Sequence, residues 1–306
     1  MTPEIAGATP SGSSAAGGSS PGASTSGYLL DNRQAEAGVR LAAIGELFDA
    51  ATFRTLDATG ISPGWRCWEV GAGGPGVASW LSGRVGLTGG VLVTDIDTSW
   101  LADSAWPDGT VPPQVTVARH DVTADPLPDG PFDLVHARLL LVHLPRRTDV
   151  ASALAGLLTP GGWLVVEDAD PRLQSLACID EYGPEQVLAN RIRDGFRSLL
   201  VDRGVDLAFG RTLPRLLRSL GLVDVEAEAY FPVTSPVSSV LERATVEQTR
   251  AGLVGAGLAT DEEVDRHLAS LASGRLDVTT APMVSARGRR PPGGDAAPES
   301  APGGDR

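Results

Sequence analysis

Residues 66–70, Arg-Cys-Trp-Glu-Val, run directly into Gly71-Ala72-Gly73-Gly74-Pro75-Gly76, and few folds accept that junction. The five residues are short, mostly apolar and preceded by Pro63-Gly64, which predicts a buried strand. Gly71 and Gly73 let the backbone turn tightly and come close to a ligand with no Cβ in the way. Residues 77–81 then resume with the spacing of a helix, so the unit is strand, glycine loop, helix. A second apolar run, Val91-Leu92-Val93-Thr94-Asp95, follows within the distance one such helix needs.

Two acids frame the loop. Gly71, Gly73 and Gly76 also satisfy the spacing of a dinucleotide-binding turn, with Asp95 at about the right distance for a ribose contact. Glu69, two residues before Gly71, separates the readings. A carboxylate there would repel a pyrophosphate and attract an α-amino group, so the pocket suits a cationic nucleoside such as a sulfonium compound.

The pattern resembles the first motif of class I S-adenosylmethionine-dependent methyltransferases, acid-x-Gly-x-Gly-x-Gly, with Pro75 in place of the third glycine. Proline lacks an N–H and fixes φ, which the first turn of a helix tolerates. The resemblance implies that Glu69, Gly71, Ala72 and Gly73 bind S-adenosylmethionine. It also implies that Asp95 holds the ribose hydroxyls with Ile96 beside it, and that Asp121 and Val122 contact the adenine. Residues 115–121, 132–136 and 163–167 are similar to its third, fourth and fifth strands, the last after the turn Leu158-Thr159-Pro160-Gly161-Gly162. Ala281-Pro282-Met283-Val284-Ser285-Ala286 resembles its last strand. The implied fold is α/β: a Rossmann-like, seven-stranded, mostly parallel sheet with an antiparallel last strand and helices on both faces. Glu69, Asp95 and Asp121 would all stand at the carboxyl edge of the sheet, where open α/β folds bind ligands.

Ala37, Leu41, Ile44 and Phe48 recur at helical spacing, predicting an amphipathic helix over 34–50 that packs across the cofactor mouth. Tyr28 and Arg40 are candidate cofactor contacts because related enzymes cover the cofactor with a similar Tyr-x-Leu…Glu-x-x-x-Arg-Leu segment. After the fifth strand the βαβ alternation stops. Stripes at Leu188, Ile192, Phe196, Leu199 and Leu200, and at Leu213, Leu216, Leu217 and Leu220 before Gly221, predict two helices. Residues 171–210 read as a helical cap over the active site. Residues 222–230 alternate like a half-exposed strand, and Thr260-Asp261-Glu262-Glu263 has the form of a capping box ahead of Val264, Leu268 and Leu271.

The outer limits come from composition. Residues 1–27 are almost wholly Gly, Ser, Ala, Thr and Pro, and those from Arg290 onwards are rich in Pro and Gly; both are expected to be disordered tails around a domain at 28–289. The formal charge is −13, of which about −11 lies on that domain, so phosphate backbones are disfavoured as partners. No apolar run is long enough to span a bilayer and no secretory signal is visible, which makes the expected location cytoplasmic. Cys67 and Cys178 are too few for a disulfide framework or a zinc site, and Cys67 reads as a packing residue.

Methyl transfer from a sulfonium is a direct displacement that needs a base only if the acceptor must lose a proton. His143, just after the fourth strand, is the candidate base. His136 inside that strand reads as buried and structural, His120 ends the third strand, and His267 lies on a helix away from the motifs. The fourth strand ends Val135-His136-Ala137-Arg138, with neither an Asp-Pro-Pro-Tyr-like tetrapeptide nor an acid to hold magnesium, although Glu167 and Asp168 follow the fifth strand. The expectation is metal-independent methylation of a small, partly apolar metabolite at oxygen, nitrogen or carbon. Two other readings stay open: an NAD(P)-dependent oxidoreductase, and a protein that keeps the cofactor as a structural element without methylating. The acceptor and the oligomeric state are not written in the residues.

Overall fold

A computed structural model describes residues 35–102 and 105–293. The expected N-terminal tail at 1–27, the candidate cofactor contact Tyr28 that follows it, and the residues beyond Gly293 lie outside the described residues. Seven strands form one sheet: β1 (Arg66–Val70), β2 (Gly90–Asp95), β3 (Val115–Arg119), β4 (Phe132–Arg138), β5 (Leu158–Ala169), β6 (Val223–Tyr230) and β7 (Met283–Arg289). Their order is β3-β2-β1-β4-β5-β7-β6. The first five are parallel, with Cys67 opposite both Val91 and Leu134, and β7 is antiparallel to both of its neighbours. The direction of the chain reverses sheet half at β1/β4, the topological switch point where wound α/β sheets open a crevice.

Side-chain alternation along the strands sorts the core into two layers. Cys67, Val91, Val93, Leu134 and Val165 face α1 (Ala35–Asp57) and α2 (Gly76–Val85) through Leu56, Val77, Leu81 and Val85. Trp68, Val70, Val135, Leu164, Val166 and Ala286 face α3 (Arg147–Gly156) and α5 (Leu213–Ser219) through Val150, Leu154, Leu213 and Leu217. Each of these fully buried aliphatic side chains contributes roughly 1.5–3 kcal/mol. The helices thus cover both faces, as expected.

Several boundaries move. α1 runs seven residues past the expected end because Ala51, Thr52, Thr55 and Leu56 continue its buried stripe. β5 extends to Ala169, so Glu167 and Asp168 lie inside the strand rather than after it. β7 starts at Met283, because Pro282 has no N–H to add to a ladder and its carbonyl instead accepts from Asp170 N. β6 is an edge strand exposed on both faces rather than one, and its acids pair sideways: Glu226 with Arg287, Glu228 with Arg54.

α4 (Pro184–Asp202) fills the expected cap segment, but the cap is larger than 171–210. α6 (Pro236–Gly255) and α7 (Asp261–Ala272), both between β6 and β7, share one apolar cluster with it: Leu188, Ile192 and Leu199 against Val246, Leu253, Ala259 and Val264. α7 begins on the predicted capping box, Thr260 and Glu263 exchanging both hydrogen bonds. Leu241 and Val237 of α6 pack on Ile44, Leu47 and Phe48 of α1, tying the cap to the sheet. No helix among the described residues is long and apolar enough to cross a membrane.

Candidate active site

The glycine loop turns as the sequence requires. Gly71 and Gly73 take φ of 67° and 63°, a region L side chains avoid. Gly71 N and Ala72 N both donate to Thr94 O (2.8 and 3.1 Å), which binds the loop to the end of β2. A Cβ at Gly73 would stand 2.9 Å from Leu41 Cδ2, and one at Gly71 would stand 3.1 Å from Leu140 Cδ1, so a side chain at either position would press on leucines of α1 and of the turn after β4. Pro75 is the N-cap residue of α2 and Gly76 its first residue, so the missing third glycine costs the helix start nothing.

Asp95 closes β2 with both carboxylate oxygens in use: Gly73 N donates to Oδ2 (2.9 Å) and Asp97 N to Oδ1 (3.0 Å). Burial raises its pKa against the pull of those backbone donors. Ile96 beside it is 56% exposed, an apolar surface at the mouth of the loop. Asp121 sits in a turn just after β3, its Oδ1 accepting from Thr123 N (2.8 Å) and Oγ1 (2.6 Å); those hydrogen bonds hold its carboxyl below the usual range. Val122 packs on the sheet core.

Glu69 is placed differently from its neighbours in the motif. Its carboxylate is 2% exposed and takes a hydrogen bond from His136 Nδ1 at 2.6 Å, across the β1–β4 register that sets the two residues side by side. His136 Nε2 stands 3.3 Å from Glu167 Oε2, and Glu167 also accepts from Thr52 Oγ1 (2.5 Å) and from Ser285. Burial alone would lower the His136 pKa, but the Glu69 charge and the hydrogen bonds to Glu167 and Glu69 lift it to about 9. The expected buried histidine is therefore a cation between two buried carboxylates. The sequence flagged His136 by its place in an apolar strand, but not its partners.

A cavity of about 180 Å³ opens between the carboxyl ends of β4 and β5, α1, and the cap helices. Phe48, Leu139, Val142, Phe196, Leu200 and Met283 form much of its wall, and Arg40, His143, Arg193, Arg197 and Glu242 bring charge or a titratable ring to it. Leu139 has φ of 53°, a conformation strained for a branched side chain, with its N–H held by Glu167 O (2.7 Å). The strain splits two neighbours: Leu139 lines the cavity and Leu140 covers Gly71. His143 lies on a short 3-10 turn after β4; burial first, then Arg40 and Arg147, press its pKa down to about 4. Arg40, the candidate for cofactor contact, is buried on α1 and lines the cavity.

The remaining candidates are structural in placement. His120 meets the edge of the Trp68 ring (5.8 Å between centroids), and His267 is buried in the cap 3.6 Å from Glu242. Cys67 is buried in the core, which pushes its thiol pKa up, and Cys178 is raised to about 11, mainly by burial.

A wound sheet in this strand order, with a glycine loop at its switch point and an acid ending the next strand, has the form of a nucleoside-binding α/β domain. Residues 68–166 match the methyltransferase-domain family, from β1 through β5. The chain is 34% identical over 141 residues to methyltransferase str3 of Strobilurus tenacellus, covering 43% of this chain and 47% of that protein. It is 33% identical over 115 residues to the ubiquinone/menaquinone biosynthesis C-methyltransferase UbiE of Laribacter hongkongensis, covering 37% and 46% respectively. The chain thus spans about half the length of these curated relatives. Among solved structures, Haemonchus contortus phosphoethanolamine N-methyltransferase 2 superposes with a TM-score of 0.51 at 18% identity, covering 86% of this chain and 59% of that one, which is a likeness of fold. From β1 to β5 the chain is thus similar in sequence to methyltransferases and, over most of its length, similar in fold to S-adenosylmethionine-dependent ones.

Proposed function

We propose that the protein methylates a small, partly apolar metabolite by direct displacement, with S-adenosylmethionine as donor and without a metal ion. One observation carries this: the glycine loop and the cavity are separated by two consecutive residues, Leu140 on the loop side and Leu139 on the cavity side, so a donor on one and an acceptor in the other become neighbours. S-adenosylmethionine, when bound, supplies an electrophilic methyl group on sulfur, which leaves its bonding pair on that sulfur as the acceptor's lone pair forms the new bond. The chain's part is to hold and exclude. The loop at Gly71, Ala72 and Gly73 would border the nucleoside, Asp95 would face its ribose, and Ile96, Asp121 and Val122 would border its base. Glu69 acts indirectly, as a member of the buried hydrogen-bonded cluster with His136 and Glu167. Arg40, buried on α1, borders the cavity, and the apolar walls keep water from the acceptor. Such positioning contributes on the order of 7–11 kcal/mol to lowering a displacement barrier. The formal charge of −13 supports a small acceptor over a nucleic acid.

His143 is the proposed base. With a pKa near 4 its ring is neutral across ordinary pH and always in the accepting form, but its weak basicity suits only acceptors whose own proton leaves readily. Turnover is therefore expected to stay flat between about pH 5.5 and 8, with no inflection near 6.5. His143→Asn is expected to lower kcat at least tenfold on an acceptor that must lose a proton; an unchanged kcat would remove the residue from the reaction. The proposal as a whole is tested by titrating S-adenosylhomocysteine into the protein by calorimetry, and by incubating metabolite extracts with methyl-labelled donor. Micromolar binding and one compound heavier by a labelled methyl group are expected. Binding without any labelled product would instead favour a protein that retains the cofactor for another purpose.

A further inference from the structure

We infer that the acceptor is an apolar monocarboxylic acid about the size of one ring, its carboxylate gripped by Arg197; this rests on the methyltransferase reading above. Two arginines of α4 reach the cavity. Arg193 is tied to its neighbours, its Nε and Nη2 donating to Glu242 Oε2 (3.1 and 2.5 Å) and Nη2 also to Thr279 O (3.2 Å). Burial would raise Glu242, but the Arg193 charge and nearby His267 bring it down to about 2; its Oε2 is taken by Arg193, while its Oε1 is buried with no hydrogen-bond partner among the described residues. Arg40, His143 and Arg197 also line the cavity, and Glu242 is the sole acid among the described residues of the lining.

Arg197 is the group with capacity to spare. Its side chain is 19% exposed, and Nη1 donates to Asp194 Oδ1 (3.1 Å), a residue that is itself 71% exposed at the rim. On the other side Nε is buried with no hydrogen-bond partner among the described residues. The edge made by Nε and Nη2 is the one a guanidinium offers side-on to a carboxylate in two parallel hydrogen bonds. A buried donor with no partner is costly, and a ligand oxygen there removes that cost. A phosphate dianion would need more donors than one such edge provides, and the walls around it are apolar. The volume sets the rest of the molecule: cavities of roughly 150 Å³ hold a benzene ring, and this one is about 180 Å³.

The test titrates benzoate, phenylacetate and 3-phenylpropanoate, and their neutral amides, into the full chain saturated with S-adenosylhomocysteine, by calorimetry. At least one acid is expected to bind about tenfold or more tightly than its amide. In Arg197→Gln that preference should vanish while S-adenosylhomocysteine affinity stays within about twofold, and Arg197→Lys should restore part of it. Equal binding of acid and amide, no binding by any acid, or tighter binding of phenyl phosphate than of the acids overturns the inference. The acid–amide comparison in the unaltered protein decides the matter even if a variant fails to fold. Failure of S-adenosylhomocysteine itself to bind would instead strike the methyltransferase reading, so the two failures are told apart.

Discussion

His136→Leu is expected to lower the free energy of unfolding by about 3–5 kcal/mol at pH 7, because it leaves two buried carboxylates facing each other with no cation between them. Glu69 and Glu167 are both essentially inaccessible, and His136 is within hydrogen-bonding reach of each. The cluster ties β1, β4 and β5 to α1 through Thr52, and to β7 through Ser285; Arg138 closes it by donating to Thr52 (3.0 Å) and pairing with Asp49 (2.9 Å). The folded-state pKa of His136 lies above its unfolded value, so its stabilising share is fully present below about pH 6.5 and is lost as pH rises through about 9. A shift of that size corresponds to about 3 kcal/mol. Urea denaturation between pH 6 and 10 should show the wild type losing stability over that window and His136→Leu failing to show the loss. A leucine variant within 1 kcal/mol of wild type, with the same pH curve, would mean that the histidine is not charged.

The parts of this molecule that the sequence made legible are those where a local pattern meets a single physical demand. β1, β2 and β4 are short apolar runs closed by glycine, proline or acid, and a parallel sheet buried on both faces needs such runs. The glycine loop was legible because positive φ is rarely available to other residues. What stayed hidden depends on register or on the ligand. Glu69 reads as a loop acid open to a cofactor, yet pairing with a histidine 67 residues away is decided by how β1 lies against β4. α6 escaped notice because the face it buries carries Ser238, Glu242, Thr245 and Thr249 among Ala244, Val246 and Leu253, so no apolar stripe marks it. That polar inner face is the one that borders the cavity. Arg193 and Arg197 are indistinguishable in the sequence, one turn apart on α4, and only the neighbouring Glu242 makes one spent and the other available.

Asp95→Ala should weaken S-adenosylhomocysteine binding at least about 100-fold, more than any other single change in the loop region. The carboxylate does two things at once. It faces the site where a ribose is expected, and it holds Gly73 N and Asp97 N, one on each oxygen. Hydrogen bonds to a charged acceptor are worth roughly 1.5–3 kcal/mol each, so the alanine variant loses ligand contact and lets Gly73 leave its left-handed conformation together. Asp95→Asn keeps only one accepting oxygen and must turn an NH2 toward one of the two backbone donors, so its loss should be nearly as large despite the matching shape. Asp121→Ala provides the contrast. Its carboxylate is committed to Thr123 in an exposed turn after β3, so the effect should stay below about tenfold. Calorimetric titration of the three variants beside the wild type, with circular dichroism to verify folding, gives the ranking. If Asp95→Ala binds within threefold of wild type, the end of β2 is not where the donor sits, and the loop needs its glycines only for packing against Leu41 and Leu140.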